Sequence, residues 1–210
     1  MSPPSSMALQ AETPRLILAS ASPARRSVLA AAGLHFETAV AAVDEDAIKA
    51  AARAEGIPPA DAALLLADAK ARRIATREAE ALVIGADQML VCEGRWFDKP
   101  ADAEAARAQL RALRGRAHDL VTAVVCWRGG ERVWQHVAVP RLVMRDFSEA
   151  FLDAYLAREG EAVTGSVGAY RLEGVGVQLF ARIAGDQSSI LGLPLLPLLE
   201  FLRGHGVLLR

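Results

Sequence analysis

Residues 16–33 read LILASASPARRSVLAAAG. The apolar run that starts at Leu16 stops at Ala19-Ser20, and a short polar loop with one proline and two arginines follows. A helical pattern then begins and closes at Gly33. The run reads as a fully buried strand. Ser22 and Pro23 suit the N-cap and first-turn positions of the next helix, and Gly33 suits its stop. A helix start also presents unpaired N–H groups and the positive end of the helix dipole, so the junction can hold an anion. Ser22 and Arg25 add a hydroxyl and a planar cationic fork suited to phosphate. The same residues fit equally well a plain helix cap beside solvated arginines. The glycines of a P-loop or a dinucleotide fingerprint are absent.

Outward from this junction, strands and helices keep alternating. HFETAV predicts a second strand, and the Ala/Leu-rich run from Pro58 to about Glu80 predicts a long helix. ALVIGAD reads as another buried strand, ending in the carboxylate of Asp87. MLVCEGRWFD predicts a hairpin turning at Glu93-Gly94, and the segment from Asp119 to Val139 predicts a second one at Gly129-Gly130. DAEAARAQLRALRG and Ser148–Glu159 read as helices ended by glycine. A glycine-rich loop from Gly165 runs into a strand near Phe180, and LPLLPLLEFLRG closes the chain as a helix. The expected fold class is therefore α/β, a mixed sheet flanked by helices with hairpins inserted. No repeat and no internal linker cuts the chain. The domain expectation is a flexible tail over residues 1–13 and a single domain over 14–210.

Bulk composition narrows the function. The chain has 210 residues, 52% hydrophobic and 23% charged, enough for a substantial core. A formal net charge of -1 gives no electrostatic case for stable nucleic-acid binding. No apolar stretch has the length of a membrane span, and the N-terminus lacks the basic start and apolar run of a secretory signal. A cytoplasmic location with no membrane partner is the expectation. Cys92 and Cys126 lie far apart outside any CxxC, so no disulfide is expected.

A second cluster of chemistry is VIGADQ followed by DKP. Ligands of open α/β sheets gather at the carboxyl ends of strands. A carboxylate there, Asp87, can hold a divalent cation or take a proton from water. Lys99 follows within a short hairpin, Lys70 lies on the long helix, and Glu45 sits in VDED. Each of these, taken singly, also reads as a solvated charge. His35, His118, His136 and His205 have no metal-ligand spacing. No GxSxG elbow and no Cys-His pairing is present.

LASASPARR, VDE, LADAKA, VIGADQ, DKPADAEAARAQLRALRGRAH, GAYRLEG and GLPLLPLLEFLR occur in that order from about Arg15 to Gly206. Together they resemble the Maf family of nucleotide pyrophosphatases. The resemblance implies an elongated α/β fold of two lobes with a central cleft, related to the inosine triphosphate pyrophosphatases. It implies hydrolysis of a nucleoside triphosphate to the monophosphate and pyrophosphate, assisted by a divalent metal such as Mg2+ or Mn2+. Ser22 and Arg25 then correspond to the phosphate-binding S-x-x-R, and Asp87 to the proton acceptor. Glu45, Lys70 and Lys99 correspond to the remaining polar site residues. Lys70 and Lys99 would join Arg25 on phosphoryl oxygens, and Glu45 would be a metal ligand or an orienting group. A homodimer is a family-level expectation.

Substrate choice departs from the pattern typical of the dTTP- and UTP-acting branch. That branch carries Arg, Thr and Gln where this chain has Ala24, Gln88 and Glu173, and Lys where it has Ser166. Gln88, Glu173 and EGVGVQLFARIAG are instead similar to the branch acting on 7-methyl-GTP. Ala24 stands where that branch can carry Trp. Guanine presents two adjacent donors that suit a carboxylate such as Glu173, and methylation at N7 makes the base cationic. The resemblance thus implies 7-methyl-GTP, with dTTP, UTP or another modified nucleotide as the alternative. A nucleotide-sensing division regulator without turnover is the third reading, which the set Asp87, Lys70 and Lys99 argues against.

Overall fold

The computed structural model describes residues 9–210. β1 (Leu16–Leu18) leads to α1 (Pro23–Ala31), β2 (Glu37–Thr38), α2 (Glu45–Ala54) and α3 (Pro59–Ala75). Next come β3 (Leu82–Cys92), β4 (Arg95–Phe97), α4 (Ala103–Leu113), β5 (Ala117–Arg128), β6 (Glu131–Ala138) and β7 (Arg141–Met144). α5 (Glu149–Glu159), three short 3-10 turns between Gly160 and Leu179, β8 (Phe180–Ala184), α6 (Gln187–Ile190) and α7 (Leu195–Gly204) complete the chain. The strands form one eight-stranded sheet in the order β2-β1-β3-β5-β7-β8, with β4 on β3 and β6 on β5. β1 runs parallel to β2 and β3, whereas β3–β4, β5–β7 and β7–β8 are antiparallel. The architecture is the mixed α/β sheet flanked by helices that the alternation of elements predicts.

The chain packs as two compact units. The first holds the described residues up to Asp87 together with Ala123–Val137 and Gly192–Arg210. The second holds Gln88–Thr122 and Ala138–Leu191. In the first unit all three residues of β1 are buried, paired in register with Leu82–Ile84 of β3. α1 starts as its sequence predicts: Pro23 opens it, and the Ser22 hydroxyl accepts from the Arg25 amide. Such a cap is worth about 1 kcal/mol. α3 turns a face of alanines inward, including Ala62, Ala63, Ala67, Ala71 and Ala75. Small residues let it press on β3 at Gly85, where an added Cβ would collide with the Ala67 carbonyl and lie 2.7 Å from Ala71 Cβ.

The second unit is built around one continuous core. Leu110 and Leu113 of α4, Leu120 of β5, Leu142 and Met144 of β7 and Leu152 of α5 are all almost inaccessible to solvent. Burying each such side chain contributes about 1.5–3 kcal/mol. Asp102 and Ser148 cap α4 and α5 through hydrogen bonds from Ala105 and Phe151 amides.

Several expectations are corrected. The strand does not end at Asp87: β3 continues to Cys92, and Asp87 sits mid-strand because its carboxylate is paired there with Lys70. α3 stops at Ala75, where the Thr76 hydroxyl donates to the Arg73 carbonyl and the next amides tighten into a turn. α2, β7 and α6 go beyond the elements the sequence predicts. Residues 1–8 of the expected tail lie outside the described residues. Residues 10 and 11 are held: Gln10 bridges Leu208, Ala11 donates to Val207, and the Gln10 side chain both donates to and accepts from the His35 backbone. Among the described residues no helix is long and apolar enough to cross a membrane.

Candidate active site

The first unit gathers six of the residues that the sequence singles out. Lys70 stands on α3 between Ala67 and Ala71, the two residues that touch β3 at Gly85. That close approach brings the Lys70 ammonium to 2.6 Å from Asp87 Oδ1. The same ammonium lies 2.8 Å from Glu45 Oε1, at the first turn of α2. Asp44 caps that helix by accepting from the Ala47 amide, which fixes where Glu45 emerges. The Lys70 and Asp87 side chains are only 12% and 7% exposed, whereas that of Glu45 is 41% exposed. One cation thus joins a buried carboxylate to a half-open one. An ammonium has three N–H donors, so one remains for a ligand.

Arg25 lies at the third position of α1. Its Nε donates to the Gly192 carbonyl at 2.8 Å and its Nη1 to Ser20 Oγ at 3.3 Å. Ser20 Oγ also accepts from the Ser22 amide at 3.2 Å. Withdrawal from water lowers the Arg25 pKa below its ordinary value, and the negative charges of Asp87 and Glu45 partly offset that. A guanidinium remains a cation under such a shift. Arg25 therefore sits within the electrostatic reach of both carboxylates. Ser22 and the half-buried Ala24 complete the turn in front of it.

The remaining expected residues belong to the second unit. Lys99 is exposed in the segment after β4. Gln88 is partly buried, and its Nε2 donates to Thr122 Oγ1, the Ser189 carbonyl and the Ile190 carbonyl at 2.8 to 3.0 Å. Its amide nitrogen is thus committed to the fold, and its carbonyl oxygen is the end left for a ligand. Glu173 is exposed on a well-anchored loop. Two residues before it, Arg171 pairs with Glu159 at 3.0 Å. Ser166 Oγ donates to the Tyr170 carbonyl at 2.6 Å, and the Tyr170 hydroxyl meets His118 Nε2 at 2.8 Å. His118 is 1% exposed, and burial pushes its pKa down to about 4, so the ring is neutral near pH 7.

Sequence reasoning missed Ser20 and Gly192 as partners of the site. The signal for Ser20 was the serine pair around Ala21, which puts two hydroxyls at one strand end. Gly192 lies 167 residues from Arg25 and carries no side chain to mark it. Among the described residues no group of three or more His, Cys, Asp or Glu could hold a metal ion by itself.

The profile of the family described as Maf-like protein matches residues 15–205. A nucleoside triphosphate pyrophosphatase of Granulibacter bethesdensis is 62% identical over 92% of this chain and 98% of its own length. A 7-methyl-GTP pyrophosphatase of Rhizobium meliloti is 50% identical over 93% of this chain and 98% of its own. One of Brucella abortus is 46% identical over 91% and 96%. With S-x-x-R at the start of α1, Asp87 in mid-β3 and a family match along nearly the whole described chain, this protein belongs to the Maf family.

Proposed function

We propose that this chain hydrolyses 7-methyl-GTP to 7-methyl-GMP and pyrophosphate, and so removes a modified nucleotide. The coarser activity, that of a hydrolase releasing pyrophosphate from nucleoside triphosphates, goes with the family and with relatives carrying that name. The observation that carries the reading is the Lys70 ammonium bridging Asp87 and Glu45 in the unit that also holds Arg25. Water attacks the α-phosphorus, its proton passes to Asp87, and the bond from that phosphorus to the bridging oxygen breaks. Lys70 holds Asp87 by Oδ1 and leaves Oδ2 for the water. Arg25 and the third Lys70 proton neutralise charge that builds on the phosphoryl oxygens. Ser22 supports the phosphates at the start of α1, and Lys99 serves the leaving pyrophosphate.

A divalent cation fits this donor set. Mg2+ typically takes one or two carboxylates and completes its shell with water and substrate phosphates. Glu45 is the residue that would hold it, and it would supply further charge neutralisation on the triphosphate.

The base is the finer part of the reading. Glu173 supplies the carboxylate that guanine's two adjacent donors call for. Gln88 offers a fixed carbonyl oxygen, whereas Ala24 lacks the aromatic face that would favour a cationic base. Relatives named 7-methyl-GTP pyrophosphatase at 50% and 46% identity support it. The test is pyrophosphate release by the purified protein from 7-methyl-GTP, GTP, UTP and dTTP, with wild type and Glu173→Gln. The expected result is a wild-type preference for 7-methyl-GTP. Glu173→Gln should reduce the ratio of kcat/KM for 7-methyl-GTP over UTP by about one to two decades, since a lost charge-assisted hydrogen bond is worth roughly 1.5–3 kcal/mol. A preference for UTP or dTTP removes the substrate assignment. Nucleotide binding without turnover of any of the four would leave a sensor in place of an enzyme.

A further inference from the structure

We infer that Gly192 and Ser20 are positioning residues for Arg25, which they clamp so that one edge of its guanidinium is reserved for the triphosphate. The inference rests on Arg25 as a phosphate-binding residue and adds how that residue is aimed.

A guanidinium carries five N–H donors in one plane, and its rotation about a flexible stem must be stopped before it can act as a fork. Two fixed acceptors stop it here. The Gly192 carbonyl takes the Nε proton at 2.8 Å. Ser20 Oγ takes one Nη1 proton at 3.3 Å, and that oxygen is itself held by the Ser22 amide. Ser20 is 9% exposed at the end of buried β1, so it is a rigid post. Among the described residues no acceptor is bonded to Nη2, and this is the edge left for phosphoryl oxygens.

Glycine is required at 192 for two separate reasons. Its φ is +95°, a region that L side chains rarely adopt. A Cβ there would also stand 3.0 Å from Arg25 Nε and 3.5 Å from Nη2. A methyl group would thus press on the guanidinium from the side that now holds it. The GLP segment that follows α6 is otherwise without a role in the chemistry. Its first residue supplies a carbonyl and an absence of side chain, both directed at Arg25.

The experiment is a pair of double-mutant cycles, Gly192→Ala with Arg25→Ala and Ser20→Ala with Arg25→Ala. Two quantities are read: kcat/KM for the nucleoside triphosphate turned over fastest, and the calorimetric Kd for inorganic tripolyphosphate, a phosphate chain without a base. Misplacing a binding group by about 1 Å can cost on the order of 100-fold. Gly192→Ala should therefore lower kcat/KM by about 10- to 100-fold and weaken tripolyphosphate binding in the Arg25 background. In the Arg25→Ala background each second substitution should cost less than about 2-fold, because the group it positions is gone. Additive losses in both cycles overturn the inference and leave Gly192 and Ser20 as structural residues only. If Gly192→Ala fails to fold, the Ser20 cycle decides alone, since Ser20→Ala leaves the backbone conformation accessible. If Arg25→Ala changes neither quantity, the phosphate-binding reading of Arg25 fails and the inference falls with it. An effect of Arg25→Ala with additive cycles overturns the inference alone.

Discussion

Asp87 sits in the middle of a buried strand with Oδ1 on the Lys70 ammonium, and it is 5% exposed. Asparagine has the same shape, and its amide oxygen can still accept from Lys70. Asp87→Asn is therefore expected to fold with little loss of stability yet to lose about 100- to 10,000-fold in turnover, the usual range for a catalytic acid–base group. Steady-state pyrophosphate release and a urea midpoint on the same preparation separate the two effects. Near-wild-type turnover would remove Asp87 from the chemistry. Which residues to single out was legible in the sequence because motif order carried them. Their contacts were not. Lys70 read as a third, separate candidate, and Glu45 as a fourth, yet one ammonium holds both carboxylates within 2.8 Å. Nothing in a linear sequence gives the reach of a side chain on one helix toward another.

At the scale of elements, the site depends on how near α3 comes to β3. Gly85 is the point of contact, and Lys70 leaves α3 within a turn of it. Gly85→Ala drives a methyl group into the Ala67 carbonyl, a backbone atom that cannot rotate aside. Overpacking of this sort typically costs about 1–3 kcal/mol, and a backbone obstacle puts this case at or above the upper end. The same displacement lengthens the Lys70–Asp87 contact, so turnover should fall further than a stability loss of that size explains. Urea melts and turnover measured well below the melting temperature give both numbers. A fully active, fully stable Gly85→Ala would refute the close-approach argument.

Helix starts were the most legible elements, because Ser22, Asp102 and Ser148 each carry a hydroxyl or carboxylate that takes an amide three residues on. The turn at Glu93-Gly94 was legible too, with φ of 50° and 79°. α2 was not: of its acidic start only Glu45 was singled out, as a site candidate or a solvated charge, although Asp44 caps the helix and Glu45 pairs with Lys70. β3 was cut short for the related reason that a charge in mid-strand reads as a strand end unless its partner is visible.

At the scale of the whole molecule, the alternation of strands and helices gave the α/β class, but division into two units was not readable as a linker. The chain passes between units inside β3, β5 and β6, at Asp87–Gln88, Thr122–Ala123 and Val137–Ala138, in runs that look like ordinary strand, and again after α6 at Leu191–Gly192. Ser22, Ala24, Arg25, Glu45, Lys70 and Asp87 fall in one unit and Gln88, Lys99 and Glu173 in the other. Adjacent residues such as Asp87 and Gln88 are thus assigned to different bodies.

The two cysteines are divided in the same way. Cys126 is wholly buried in the first unit and Cys92 is 4% exposed in the second, and burial raises both thiol pKa values. The thiolate is the reactive form, so neither sulfur can meet an alkylating reagent until its own unit opens. The protein therefore carries one built-in reporter of opening for each unit. In native buffer both thiols should stay unmodified, and in strong denaturant both should be modified fully. Between those limits, mass spectrometry of the two cysteine peptides gives two protection curves. Coincident curves mean that the units open as one body, and separated curves identify which one yields first.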